Sequence, residues 1–229
     1  MSSISAELTV FLKDADLVAS TAFLTLTGKM GYGETLLGLK RFDYFAFRLD
    51  RAEEEDPQQV VDQFIRVLSS QSTFFNRNKH FYHLSCSWDG SGTTNGTGLE
   101  LAERKLGAEV SNSLIKKQDR KLSVQSGSNG VTFRDDSVFL GKLLVQERDQ
   151  GRKRMLSHKL RDELGGRAVE CTDCGVQWWL ALRSNERGGA QRLLEEIAVT
   201  VKRDRGLLVN PHYQEYSVLA VAKLDVNDV

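Results

Sequence analysis

Cys171-Thr172-Asp173-Cys174 is the one CxxC in the chain, a spacing that can hold a soft metal or cycle between dithiol and disulfide. Tetrahedral zinc would need two further ligands, and redox pairs of this kind usually open a helix. Here the motif falls where the sequence predicts the turn of a hairpin, so a structural role is expected and no metal. Gly90-x-Gly92-x-x-x-Gly96 has the look of a phosphate cradle. It lacks both the Lys-Ser/Thr ending and the dinucleotide spacing, and a linker is the better account. The four histidines are His80, His83, His158 and His212. On a strand His80 and His83 would point to opposite faces, which is poor geometry for a shared metal. His80 and His212 each follow an asparagine by two residues, Asn78 and Asn210. The simpler account has Asn ending a helix and His bonding across the next turn; the alternative is a paired polar site. Glu53-Glu54-Glu55-Asp56 precedes a predicted helix, where negative charge favours the helix dipole.

No Ser-His-Asp, Cys-His or paired-carboxylate set has a meaningful spacing, so no catalytic residue is assigned. Lys+Arg and Asp+Glu are both 31 in the 229-residue chain, and this balance argues against a general nucleic-acid binder. Gly151-Arg152-Lys153-Arg154 is the one basic cluster considered, and a solvated helix face explains it more simply. No run of eighteen apolar residues exists to span a membrane. The opening Met1-Ser2-Ser3-Ile4-Ser5 lacks the basic and apolar regions of a secretory signal, and the three cysteines make an odd count. The expected compartment is the cytoplasm.

Apolar periodicity sets the elements that must position these residues. Residues 6–13 alternate as a strand, Asp14 is a plausible cap, and 16–30 carry Leu17, Phe23, Leu26 and Met30 at helical spacing. Gly31-Tyr32-Gly33 ends that helix. Residues 36–39 and 44–49 read as a hairpin, and Asp56-Pro57 opens a helix with Val60, Val61, Phe64, Ile65 and Leu68 inward. An extended piece, 80–86, follows. Residues 89–98 are small and polar, 99–117 read as a connecting helix through Leu101, Leu106, Val110 and Leu114, and 123–136 are polar again. The order then restarts: strand 138–146, helix 152–164, hairpin 167–172 with 176–183, helix 190–201 and strand 213–223.

The halves match in residues as well as in order. Leu8, Val10, Lys13 and Asp14 meet Leu143, Val145, Arg148 and Asp149, and Leu26, Met30 and Gly31 meet Leu160, Leu164 and Gly165. Phe45-Ala46-Phe47-Arg48 meets Leu180-Ala181-Leu182-Arg183, and Asn78-Lys79-His80-Phe81 meets Asn210-Pro211-His212-Tyr213. The expected fold is α+β: two tandem β-α-β-β-α-β, ferredoxin-like units, residues 1–88 and 137–229, joined by a connector at 89–136. Helices would cover one sheet face, leaving the other for the second copy in a pseudo-two-fold pair.

The segment Gly206-Leu207-Leu208-Val209-Asn210-Pro211-His212-Tyr213-Gln214-Glu215-Tyr216 resembles the end of PurS, the small subunit of phosphoribosylformylglycinamidine synthase. Asp149-Gln150-Gly151 and Leu164-Gly165-Gly166 sit where that family has Asp-Pro-Gln-Gly and Leu-Gly-Tyr, and copy one keeps Gly31-Tyr32. The family's Arg-x-Gly-Lys stretch is missing: Gly38-Leu39-Lys40-Arg41 stands near it in copy one and Cys174-Gly175-Val176 in copy two. The resemblance implies a non-catalytic role in purine biosynthesis, helping a glutaminase dock onto an ATP-dependent synthetase, with self-association also in keeping. It implies no cofactor. Candidate interface or ligand-binding residues are Asn78, His80, Asn210 and His212, with Lys40 and Arg41. Two other functions stay open at this point: a small-molecule sensor, and an enzyme of unknown chemistry, each with its site between the units.

Overall fold

The computed structural model describes residues 2–89, 91–95, 105–107, 110, 137–201 and 205–224. Its elements are β1 (Ser2–Leu12), α1 (Leu17–Gly28), a 3-10 turn (Tyr32–Glu34), β2 (Leu36–Arg51), α2 (Pro57–Ser70), β3 (His80–Trp88) and β4 (Ser91–Asn95). There follow β5 (Ser137–Glu147), α3 (Gly151–Glu163), β6 (Val169–Ser184), α4 (Arg187–Ala198) and β7 (Gln214–Lys223). The protein is α+β. Its strands hydrogen-bond in the order β4-β3-β1-β2-β6-β5-β7. Leu8 stands opposite Phe45 on one antiparallel neighbour and opposite Leu84 on the other. Among the described residues no helix is long and apolar enough to cross a membrane.

Both expected hairpins are single strands. Residues 36–51 and 169–184 each run unbroken for 16 residues, so each copy reads β-α-β-α-β rather than β-α-β-β-α-β. Lys40, Arg41 and Asp43 look like turn residues, yet none supplies a left-handed backbone; among the described residues positive φ occurs only at Asp89, Gly31, Gly165, Gly166 and Gly206. A polar residue in a strand needs only a polar neighbour, and Arg41 has one in Asp16, 3.6 Å away. The CxxC therefore lies inside β6 and not in a turn.

Part of the expected linker is also a strand. Residues 91–95 pair antiparallel with β3, Trp88 facing Ser91 after a reversal through Asp89 at φ 43°. An edge strand is held by backbone bonds and need not bury side chains, which is why its composition read as loop. Of the connecting helix, 105–107 and Val110 are helical, with Leu106 and Val110 buried; the rest of 99–117, and 123–136, lie outside the described residues.

Helix ends follow local chemistry. Asp16, rather than Asp14, caps α1, its carboxylate accepting from the N–H of Val18 and of Ala19 at 2.9 and 3.1 Å. Asp56 caps α2 in the same way ahead of Pro57. Gly31 at φ 82° and Gly165 and Gly166 at φ 68° and 91° stop α1 and α3.

The chain forms two compact units, and each draws on both halves of the sequence. The first comprises Met1–Ala15, Phe42–Glu100 and Gln146–Gln177. Its core joins Ile4, Leu8, Val10, Phe45, Phe47, Leu49 and Leu84 to Val61, Phe64 and Leu68 of α2 and to Leu156 and Leu160 of α3. Phe74 closes it edge-on to Phe45 and Phe47. Arg167 grips Glu55 through both carboxylate oxygens at 2.8 and 2.5 Å, and Arg51 reaches Asp89 at 2.7 Å.

The second unit comprises Asp16–Arg41, Leu101–Val145 and Trp178–Val229. Here strands are buried on both faces, as Trp178, Trp179, Leu180, Ala181 and Leu182 show in sequence. Gly141 lies against Leu194 of α4 and against Leu182 on one face. On the other, a Cβ at Gly38 would lie 2.7 Å from Leu106, so glycine is what lets that helical segment close on β2.

Candidate functional site

The duplicated turns account for four of the six residues singled out from sequence. In copy one the Asn76 carbonyl accepts from the N–H of Lys79 and of His80, its side chain accepts from the N–H of Asn78, and its own N–H donates to His80 Nδ1. In copy two the Asn210 carbonyl accepts from Tyr213 and Gln214, its side chain from the N–H of His212, and its N–H donates to Gln214 Oε1. Four hydrogen bonds recur one for one, so the equivalences are Asn76 with Asn210, Asn78 with His212 and His80 with Gln214.

The sequence alignment was therefore displaced by two residues here. It matched the letters Asn-x-His, whereas the turn is defined by an asparagine and an acceptor four positions later. Corrected, Phe74-Phe75-Asn76 matches Leu208-Val209-Asn210, and all four apolar members are buried. His80 closes a turn; His212 is an exposed residue in the middle of one. Asn78 and His80 belong to the first unit, and Lys40, Arg41, Asn210 and His212 to the second. Arg41 pairs with the capping carboxylate of Asp16, so it steadies the start of α1, and Lys40 is its half-buried neighbour on β2.

That start opens onto a concavity within the second unit. A groove of about 520 Å³ runs along α1, with Leu17, Val18, Thr21, Ala22 and Thr25 as one wall and Trp178, Leu207 and Leu208 as the other. Leu207 and Leu208 are held there by their N–H groups, which donate to the carbonyls of Ile197 and Ala198 at the end of α4, each at 3.0 Å. Gly206 makes this approach feasible: at φ 70°, its Cβ would fall 1.6 Å from the Val199 carbonyl oxygen. The described residues lining it are apolar side chains, two threonines and the Trp178 indole, a surface suited to an apolar partner.

α1 itself is unusual for a surface helix. Its sequence, Leu-Val-Ala-Ser-Thr-Ala-Phe-Leu-Thr-Leu-Thr-Gly, contains no charge, and Leu17, Val18 and Leu24 are 76%, 57% and 68% exposed. The expected inward stripe is only partly right: Leu26 is buried, but Leu17 is among the most exposed apolar side chains described. The matching helix α3 shares the buried leucine at Leu160 and otherwise reads Gly-Arg-Lys-Arg-Met-Leu-Ser-His-Lys-Leu-Arg-Asp-Glu. Where α3 carries Arg152, Arg154, His158 and Lys159, α1 carries Val18, Ser20, Leu24 and Thr25. Sequence reading missed this face because it looked for an apolar stripe facing inward. A comparison of the two helices across the repeat would have found it.

No family model matches this chain, and no curated protein and no solved structure matches it either.

Proposed function

We propose that this chain is a non-catalytic assembly module that docks a protein partner through the charge-free outer face of α1 and the groove beside it. The observation that carries the reading is the contrast between α1 and α3. Both stand at the same place in the proposed repeat, yet only α3 has the charged exterior that water favours. Exposed apolar side chains gathered around a groove are the usual mark of an interaction surface. The partner surface must itself be uncharged, because a carboxylate or ammonium pressed onto Leu17, Val18 and Leu24 would lose water without gaining a counter-charge.

The PurS-like resemblance supplies the class of partner. On that reading the chain is a tandem pair of PurS-like units in a pseudo-two-fold arrangement, with the two middle strands of each unit fused into one. It serves purine biosynthesis in the cytoplasm as a docking subunit between a glutaminase and an ATP-dependent synthetase. The recurrent four-bond turn at Asn76 and Asn210 supports duplication of one ancestral unit. The test is isothermal titration of a purified synthetase of this class, with and without its glutaminase, into the purified chain. Saturable heat with a fixed stoichiometry supports the module; no heat with either protein would sink it.

The groove's volume favours one other reading, a sensor for a small apolar molecule. Native mass spectrometry of the freshly purified chain separates the two. A retained non-protein mass that is lost on Trp178→Ala points to the sensor.

A further inference from the structure

We propose that the chain forms a symmetric dimer in which β7 pairs antiparallel, edge to edge, with β7 of a second copy, centred on Leu219. This inference does not rest on the assembly reading, whose surface is the outer face of α1. β7 is the last strand in the order of the sheet, so its outer edge has no neighbour among the described strands. Such an edge carries a row of unmet N–H and C=O groups, and proteins blunt it with charge, proline, a bulge or brevity. β4, at the opposite end of the sheet, has five residues. β7 has ten, and its middle, Tyr216-Ser217-Val218-Leu219-Ala220-Val221-Ala222, contains no charge, proline or glycine. Tyr216 and Leu219 are 39% and 46% exposed.

The backbone decides which residues can pair. The Leu224 N–H donates to the Val138 carbonyl of β5 at 2.8 Å, so even-numbered positions along this run turn their N–H and C=O towards β5. Alternation then points those of Glu215, Ser217, Leu219, Val221 and Lys223 to the open edge. With Leu219 opposite its own copy, the residues that exchange hydrogen bonds are Leu219 with Leu219, Ser217 with Val221, and Glu215 with Lys223. Every one of them belongs to the outward set.

Charge selects this register among those the backbone allows. Glu215 and Lys223 are the charged residues of β7, and they stand equidistant from Leu219 on its two sides. A two-fold axis at Leu219 therefore sets Glu215 against the copy's Lys223 twice, on the same face as the paired leucines. Centring the pair on Val218 instead would set Glu215 against Val221 and Lys223 against Tyr213, and neither charge would meet its opposite. On the other face Tyr216 stands opposite Ala222 and Val218 opposite Ala220, so a larger side chain meets a small one each time. A second copy carries this complementary pattern by symmetry, which is why the occupant of the edge is another copy and not an unrelated strand.

Sedimentation equilibrium of the purified chain over a range of concentrations tests the pairing. Wild type is expected to dimerise. Glu215→Lys sets two ammonium groups together at both ends and should weaken the dimer at least about tenfold, and Glu215→Lys/Lys223→Glu should restore it. Leu219→Cys should give a disulfide-linked dimer on mild oxidation, because a hydrogen-bonded antiparallel pair holds its Cα atoms about 5.5 Å apart, within disulfide reach. Tyr216→Cys, opposite Ala222, should not. Leu17→Lys/Leu24→Lys, on α1, should dimerise as wild type does. Cooperative melting confirms that each variant is folded. A monomer at every concentration, no rescue by the exchanged charges, equal crosslinking from positions 216 and 219, or loss of the dimer in the α1 variant would overturn the proposal.

Discussion

His80 and Gln214 show how two different side chains can do one job. Each offers an acceptor to the N–H of an asparagine four residues earlier, so what the fold requires is an acceptor and not an imidazole. His80→Gln should therefore keep stability within about 0.5 kcal/mol, whereas His80→Ala should lose about 1 kcal/mol or somewhat more by leaving the Asn76 N–H unsatisfied. Urea unfolding of the two variants measures the difference. Glu55 makes a second residue-scale case. The hydrogen bonds from Arg167 hold its carboxyl at about 2, below its ordinary 4.5. A carboxyl lowered in the folded state contributes stability that is complete above 4.5 and disappears as the pH falls towards 2. The melting temperature should fall with acid through that window, and Glu55→Gln should flatten this part of the profile. Neither role was legible in the sequence: His80 drew attention as a histidine, and Glu55 as one of a run of acids whose partner lies 112 residues away.

Elements were easier to read than their joins. The helix at 57–70 could be placed from its Asp56 cap and Pro57, and the one at 151–163 from leucines at spacing four. The long strands β2 and β6 could not, because Lys40-Arg41 and Thr172-Asp173 interrupt the apolar run just as turn residues would. What carries those polar positions is tertiary: Asp16 beside Arg41, and Lys153 with Gln146 beside Asp173. Leu26 and Leu160, matched with each other from the sequence, are both fully buried. Leu160→Ala should cost about 2–5 kcal/mol, since α3 cannot collapse into the space left over Leu156 and the sheet. Leu24→Lys, on the exposed side of the matching helix, should change stability by less than about 0.5 kcal/mol. Thermal and urea unfolding of the two variants side by side would separate a helix's inner face from its outer one.

For the whole molecule, setting α1 beside α3 is what makes the candidate surface visible. A single helix with exposed leucines is unremarkable, because much of any protein surface is apolar. Two helices matched from sequence, one carrying Arg152, Arg154 and Lys159 and the other no charge, give that contrast inside one chain. The groove walls from Trp178, Leu207 and Leu208 add shape to that difference, and they come from segments far apart in sequence, which is why no local motif announced them. The central claim is that this uncharged face is where the partner docks. Sedimentation velocity tests it most directly, comparing the wild-type chain with a Leu17→Lys/Leu24→Lys variant, each mixed with a purified glutaminase-dependent synthetase. The account predicts co-sedimentation of wild type and loss of at least about tenfold in affinity for the variant, as charges desolvated in an interface require, with the two melting alike. Equal binding by both proteins, or none by the wild type, would contradict it.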